Sequence, residues 1–183
     1  MVDEGTAGEL ARRFLEAEAS RNPCTAISRK ISSFSVEDGY RVQLKALEIR
    51  KDRGEVVVGK KVGWTSRAVQ ELMGVDEPAC GHLTNVMVVP DGGVIKMSEF
   101  ARPPSVEPEI AFVLGEDLSG PGKAIPEVLK AVEGVMPAIE VPTSRMEGGF
   151  KIQDAIADNA SSGKVVFDGR IVEVNEVDLR YIG

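Results

Sequence analysis

The sequence predicts an α+β protein, with a helical N-terminal portion over residues 1–54 and a β-rich core over residues 55–183, packed as a single domain. Three observations lead there. Apolar residues near the start recur at helical spacing. Beyond residue 54, short runs rich in valine and isoleucine alternate with turns containing Gly and Pro, which is the pattern of strands. Those runs vary in length and connection, which does not fit a parallel doubly wound sheet. A chain of 183 residues, 43% hydrophobic and 28% charged, has the material for one real core.

The elements follow in order. Residues from about Asp3 to Ser20 predict an amphipathic helix with Leu10, Phe14 and Ala17 on one stripe, and Asn22-Pro23 breaks the connector after it. Ser35-Val36-Glu37-Asp38 reads as an N-cap with an acid at N3, opening a second helix to about Arg53 with Tyr40, Leu44 and Leu47 inward and Gly54 at its end. Glu55 to Val62 is a strand. Thr65 or Ser66 then caps a short helix from Arg67 to Met73 that Gly74 closes. Val86 to Val89 and Val94 to Met97 read as short strands around Pro90-Asp91-Gly92-Gly93. A helix from about Pro126 to Glu133 follows the loop Ser119-Gly120-Pro121-Gly122. A polar segment runs up to Gly163, and Lys164 to Phe167 and Arg170 to Val174 read as a hairpin around Asp168-Gly169. The last run, Asp178 to Gly183, is strand-like. With no helix or polar tail after it, the expectation is a core incomplete at its C-terminus, a fragment or a fold whose edge a partner covers.

The most informative stretch is Val106-Glu107-Pro108-Glu109-Ile110-Ala111-Phe112-Val113-Leu114. Side chains alternate along a strand, so Glu107 and Glu109 share a face. Two carboxylates side by side repel and resist desolvation. A hard divalent cation offsets that cost best, although an E-x-E pair on an edge strand is often only a solvated face. A second apolar run, Val135-Met136-Pro137-Ala138-Ile139-Glu140-Val141, carries one acid where an unpaired carboxylate is unusual. Three carboxylates from two neighbouring strands suit Mg²⁺, which keeps open positions for substrate oxygens.

Acidic residues outnumber basic ones, 29 to 22, for a net charge of -7, which argues against nucleic acid and anionic membranes as partners. The basic cluster Arg50-Lys51-Asp52-Arg53 reads as a solvated helix end. Cys24 and Cys80 form no metal or redox motif, and the expectation is a pair of reduced thiols. There is no secretory signal pattern and no run of membrane-span length, so the expected location is the cytoplasm. Gly54 to Lys60 imitates a phosphate-binding loop. However, Lys61 stands where that motif needs Ser or Thr, and three valines between the glycines want a strand. Lys60 and Lys61 face opposite ways on such a strand. One is solvated and the other needs a carboxylate or an anionic substrate, unless both sit exposed at the strand end.

Gly59-Lys60-Lys61-Val62-Gly63-Trp64-Thr65 resembles the G-x-K-[IV]-G-x-T segment of the hydratase/decarboxylase group within the fumarylacetoacetate hydrolase superfamily. Gln70 to Pro78 is similar to that group's following helix and loop, and Val106 to Leu114 to its E-x-E-[IL]-A strand. Pro137 to Val141 with Ser144-Arg145 resembles its third metal-ligand segment, and Ala157-Asp158-Asn159-Ala160-Ser161-Ser162-Gly163 its D-N-A-S segment. The resemblance is clear from about residue 35 onward. It implies a mixed β-roll core and Mg²⁺ or Mn²⁺ held by Glu107, Glu109 and Glu140. It also implies Lys61 as the catalytic lysine near the substrate carboxylate or enol oxygen, and Ser161 as a substrate-binding hydroxyl. The pattern departs at Pro78-Ala79-Cys80-Gly81, where Ala79 replaces an acid implicated in proton transfer, with His82 and Asp76 as nearby acid–base groups.

The implied activity is metal-dependent hydration of 2-hydroxypenta-2,4-dienoate-type (2-keto-4-pentenoate) acids in meta-cleavage catabolism of aromatic compounds. A 4-oxalocrotonate-type decarboxylase and a catalytically impaired binding or assembly subunit are the alternatives. The implied partners are a small 2-oxo or 2-hydroxy acid and either further copies of the chain or a hydratase–decarboxylase complex.

Overall fold

The computed structural model describes residues 1–181. Helices α1 (Glu4–Ser20) and α2 (Val36–Asp52) pack against each other. Asp3 caps α1, its carboxylate accepting from the Thr6 N–H. Ser35 and Asp38 cap α2 reciprocally, the capping box expected from the sequence. Between the helices lie the two-residue strand β1 (Cys24–Thr25) and a 3₁₀ turn.

After α2 come β2 (Val57–Gly63), α3 (Arg67–Met73), β3 (Ala79–Thr84), β4 (Val88–Val89), β5 (Glu107–Leu114), α4 (Ile125–Ala131), β6 (Val132–Val141), β7 (Met146–Glu147), α5 (Ile152–Ala157) and β8 (Lys164–Phe167). Strands β2 and β3 pair antiparallel, and β1 pairs with β7 in parallel. A four-stranded sheet has the order β4-β8-β6-β5, with β4 and β8 parallel and the other pairs antiparallel.

The main core lies among the helices. Ala7, Ala11, Phe14 and Leu15 of α1 meet Val42 and Ala46 of α2, together with Ile27, Phe34, Met146 and Ala157. Met146 and Ala157 come from the later part of the chain, so the helical and β-rich parts share this core. Burying these apolar surfaces is the dominant favourable term in holding α1 and α2 in place.

Several expected elements differ. Leu44 is exposed rather than inward; α2 instead buries Val42, Gln43, Ala46, Leu47 and Arg50. Arg50 is therefore no solvated helix end: it pairs with Glu18 and with Glu55 at 3.1 Å. Residues 79–84, to which the sequence assigned no element, form strand β3, because β2 supplies its ladder partners. Of the two strands expected around Pro90 to Gly93, only Val88–Val89 exists; residues 85–87 and 97–99 are 3₁₀ turns. The polar segment before Gly163 contains α5. The hairpin around Asp168-Gly169 does not form. Strand β8 is flanked by β4 and β6, so Val172 bridges to Val135 of β6 instead. Residues 178–181 turn rather than extend, and Ile182 and Gly183 of that expected run lie outside the described residues.

Two close approaches bring β3 and the segment after β6 against the turn that follows α5. A Cβ at Gly81 would collide with the Asn159 carbonyl and the Ser162 hydroxyl. A Cβ at Gly163 would collide with the Val141 carbonyl.

Candidate metal centre and substrate cleft

Pairing of β5 with β6 places Glu107 directly opposite Glu140, and Glu109 opposite Ala138. Cross-strand neighbours on one face lie close, so Glu107, Glu109 and Glu140 converge from two strands. Each offers a carboxylate oxygen within 4.8 Å of the others'. Two oxygens bound to one hard cation lie at most roughly 4–5 Å apart, so the trio has the spread of a metal-ligand set. Glu107 and Glu109 are exposed, whereas Glu140 is buried. The Ser105 hydroxyl donates to Glu107 Oε1 at 3.1 Å.

Strand β2 alternates, with Val58, Lys60 and Val62 outward and Gly59, Lys61 and Gly63 toward the interior. Lys61 Nζ lies 3.2 Å from Glu140 Oε1 and donates to the Ala160 carbonyl at 3.1 Å. The geometry to Glu140 is that of an ion pair without a directed hydrogen bond, and Oε1 is buried with no donor among the described residues. Burial pushes the Glu140 carboxyl above its ordinary range. Lys61 pulls it down, and Glu107 and Glu109 push it further up. An orphaned buried oxygen beside two more carboxylates fits a divalent cation with oxygen ligands.

The Ala160 carbonyl reaches Lys61 because the backbone is inverted there. Asn159, Ala160 and Ser161 have φ of 55°, 50° and 58°. Left-handed backbone costs about 1–2 kcal/mol per residue, so the surroundings must hold the turn. The Asn159 side chain accepts from the His82 N–H and donates to the His82 carbonyl, both at 2.8 Å, copying a strand partner. The Thr143 N–H donates to the Ser161 carbonyl at 2.9 Å. Asn159 was not singled out as a functional residue from the sequence. The usable signal was the D-N-A-S segment, since Asn tolerates left-handed backbone better than most residues.

Behind this turn lies a charged network. Asp158 Oδ2 accepts from the Arg145 N–H at 2.8 Å, and Oδ1 from Arg145 Nη1 at 3.2 Å. Arg145 Nη2 donates to the Ser162 carbonyl at 2.6 Å, and Nε to Glu18 of α1 at 3.0 Å. Burial pushes the Asp158 carboxyl up to about 6 even against Arg145. Burial also acts on Glu18, but the guanidiniums of Arg145 and Arg50 hold it below its ordinary value.

A cleft of about 670 Å³ opens over the trio. Its lining includes Lys61, Glu107, Glu109, Glu140 and Ser161, so every site residue expected from the sequence reaches one space. Trp64, Val69 and Phe150 add apolar surface, and Arg102 a second cation. Ala79, His82 and Asp76 do not line it. Ala79 is buried on β3 opposite Gly63, and His82 Nδ1 lies 3.0 Å from Gln43 Oε1. Burial, then Lys60 and Lys51, lower the His82 pKa.

No helix among the described residues is long and apolar enough to cross a membrane. No family model matches the chain. Among curated relatives, it is 42% identical over 179 residues to a 2-hydroxypent-2,4-dienoate hydratase of Pseudomonas putida, covering 97% of this chain and 81% of that protein. It is 37% identical over 175 residues to a 4-oxalocrotonate decarboxylase of the same species, covering 95% of this chain and 66% of that one. A solved structure of the 4-oxalocrotonate decarboxylase from Pseudomonas putida G7, complexed with magnesium and adipate, superposes with a TM-score of 0.94 at 34% identity over 98% of this chain and 68% of that one. With identity sustained along almost its whole length, the chain belongs to the hydratase/decarboxylase group of the fumarylacetoacetate hydrolase superfamily.

Proposed function

We propose that this protein is a Mg²⁺-dependent hydro-lyase that adds water to 2-hydroxypenta-2,4-dienoate-type acids in the catabolism of aromatic compounds. The observation that carries the reading is the trio Glu107, Glu109 and Glu140, with oxygens within 4.8 Å of one another, joined to Lys61 through Glu140. These three carboxylates would hold Mg²⁺, with Mn²⁺ as the alternative. When bound, the cation supplies Lewis-acid polarisation to a 2-oxo acid's carboxylate and adjacent oxygen.

The chain's own groups do the rest. Lys61, fixed between Glu140 and the Ala160 carbonyl, sets an ammonium beside the oxygen on which charge develops, and preorganised charge of this kind lowers the barrier. Ser161 offers a hydroxyl to the substrate carboxylate. Trp64, Val69 and Phe150 exclude water from the hydrocarbon part. Proton transfer at the distal carbon is the step most exposed to Ala79, because general acid–base catalysis typically supplies roughly 10²–10⁴-fold.

A decarboxylase is the second reading. It is favoured by the likeness to the 4-oxalocrotonate decarboxylase structure, and the Lys61 ammonium would stabilise negative charge developing at the same end of a decarboxylation substrate. The mixed β-roll of the superfamily is the expected architecture. Phe112, Leu114 and Ile139, exposed on the sheet face opposite the trio, support assembly with further copies or with a decarboxylase partner.

The test is an ultraviolet assay of diene consumption with the mono-acid 2-hydroxypenta-2,4-dienoate. Turnover that needs Mg²⁺ and stops with chelator is expected. Turnover of 4-oxalocrotonate alone would establish the decarboxylase instead. Ala79→Asp is expected to raise hydration. Ala79 and Gly63 face each other across the ladder on the same side as Lys61, so a carboxylate there joins the lysine's face. No gain in the same assay would show that the missing acid is not limiting.

A further inference from the structure

Lys61 and the turn that meets it are joined in a closed ring of contacts. The Lys61 side chain, only 13% exposed, donates to the Ala160 carbonyl at 3.1 Å. Ala160 follows Asn159, whose side chain accepts from the His82 N–H and donates to the His82 carbonyl, both at 2.8 Å. His82 stands opposite Lys60 in the ladder of β2 with β3, and Lys60 precedes Lys61. The hairpin of β2 and β3 therefore carries both the lysine and the anchor of the turn that receives its ammonium.

Within residues 159–161, the Asn159 side chain is the anchor. Ala160 has only a methyl group, and Ser161 lines the cleft. All three residues hold left-handed backbone, with φ of 55°, 50° and 58°, which relaxes unless something retains it. Gly81 lets the turn seat directly on β3, since a Cβ there would lie 2.4 Å from the Asn159 carbonyl. That carbonyl accepts from the Ser162 N–H at 3.0 Å and the Ser162 hydroxyl at 2.7 Å, which closes the far side of the turn. The other partner of Lys61 is Glu140, at 3.2 Å. A cation held by Glu140 would offset the charge that draws the ammonium there. The Ala160 carbonyl is a neutral acceptor outside the trio, so its hold does not depend on the charge state of the carboxylates.

We infer that Asn159 is the positioning residue for Lys61. Its side-chain clamp on His82, beyond its tolerance of left-handed backbone, sets the Ala160 carbonyl where that carbonyl fixes the ammonium in the cleft. The catalytic consequence rests on the proposed reading of Lys61 as the charge beside the developing oxyanion. The hold on Lys61 does not rest on it.

The experiment uses Asn159→Gly in the full chain loaded with Mg²⁺. Glycine adopts positive φ freely, so the turn stays permitted while both hydrogen bonds to His82 are lost. Trace acetylation with acetic anhydride, read by peptide mass spectrometry, compares Lys61 with Lys60, which is exposed on the opposite face of the same strand. The Lys61-to-Lys60 ratio is expected to rise about five-fold, the population shift that one lost hydrogen bond represents. In the diene assay kcat is expected to fall at least about ten-fold, because the ammonium acts on charge that develops in the transition state. KM is expected to change less, since the Thr143 N–H still holds the Ser161 carbonyl. Titration of Mg²⁺ alone is expected to be unchanged, because the ladder of β5 with β6 sets the trio. Gly81→Ala, which presses a methyl on the Asn159 carbonyl and leaves the amide intact, is expected to raise the same labelling ratio.

A purely structural role for Asn159 would lower the melting temperature and leave the labelling ratio and the kcat of the folded protein unchanged. That result, or an Asn159→Gly variant as active as the unsubstituted protein, would overturn the inference. If the unsubstituted protein turns over neither the mono-acid nor 4-oxalocrotonate, the proposed function falls, and the labelling ratio still decides whether Asn159 holds Lys61.

Discussion

Replacing Glu109 by Gln is expected to abolish Mg²⁺ binding and with it any turnover. Gln keeps the shape but gives up the charge that a hard cation prefers, and it does so on the strand where Glu107 and Glu109 share a face. Loss of an outer-shell partner alone typically costs 10–100-fold in metal affinity, so loss of a direct carboxylate should cost at least about 100-fold. Calorimetry is the check, and unchanged Mg²⁺ affinity would contradict the assignment of the trio. The fold should not suffer. Without metal, Glu109 is an exposed member of a mutually repelling set, so thermal melting in chelator should be unchanged or slightly raised. That pattern separates loss of a ligand from loss of the fold.

The second large effect is on stability. Arg145→Met is expected to cost about 3–5 kcal/mol, because it leaves Asp158 and the inner side of Glu18 without their shared cation. For a chain of this length that corresponds to a fall in melting temperature of roughly 6–20 °C. Urea and thermal melts would measure it, and a loss below about 1 kcal/mol, the range of an exposed pair, would refute the account. The double variant Arg145→Met with Asp158→Asn should recover part of the loss, since it removes the stranded charge as well. The α1 amides should lose hydrogen-exchange protection first, because Glu18 ties that helix to Arg145 and Arg50.

The shared face of Glu107 and Glu109 followed from the two-residue period of a strand, and the inward turn of one of the paired lysines from the same alternation. The cap at Ser35 followed from a side chain that reaches an N–H three residues on, and of the two candidates Thr65 and Ser66 the structure chose Ser66. Strand β3 escaped notice because Ala79–Thr84 has little β-branched character; its pairing with β2 overrides that weak preference. The apolar run Val94–Met97 misled in the other direction, since composition without a partner edge makes no strand. Asp168-Gly169 carried a strong hairpin signal, but both edges of β8 were already taken. Arg50 passed for a solvated helix end because nothing nearby in sequence reveals Glu18 on another helix.

By itself, then, the sequence determined what a few neighbouring residues can encode: helix caps, the alternation that groups two carboxylates, and the motifs that mark the family. The tertiary structure alone decided that Glu140 stands opposite Glu107, that Asn159 to Ser161 invert to aim a carbonyl at Lys61, and that Arg145 is enclosed by Asp158 and Glu18. Those arrangements join residues far apart in the chain. Their energies come from competition for strand edges and from burying charge against charge, which no local pattern records.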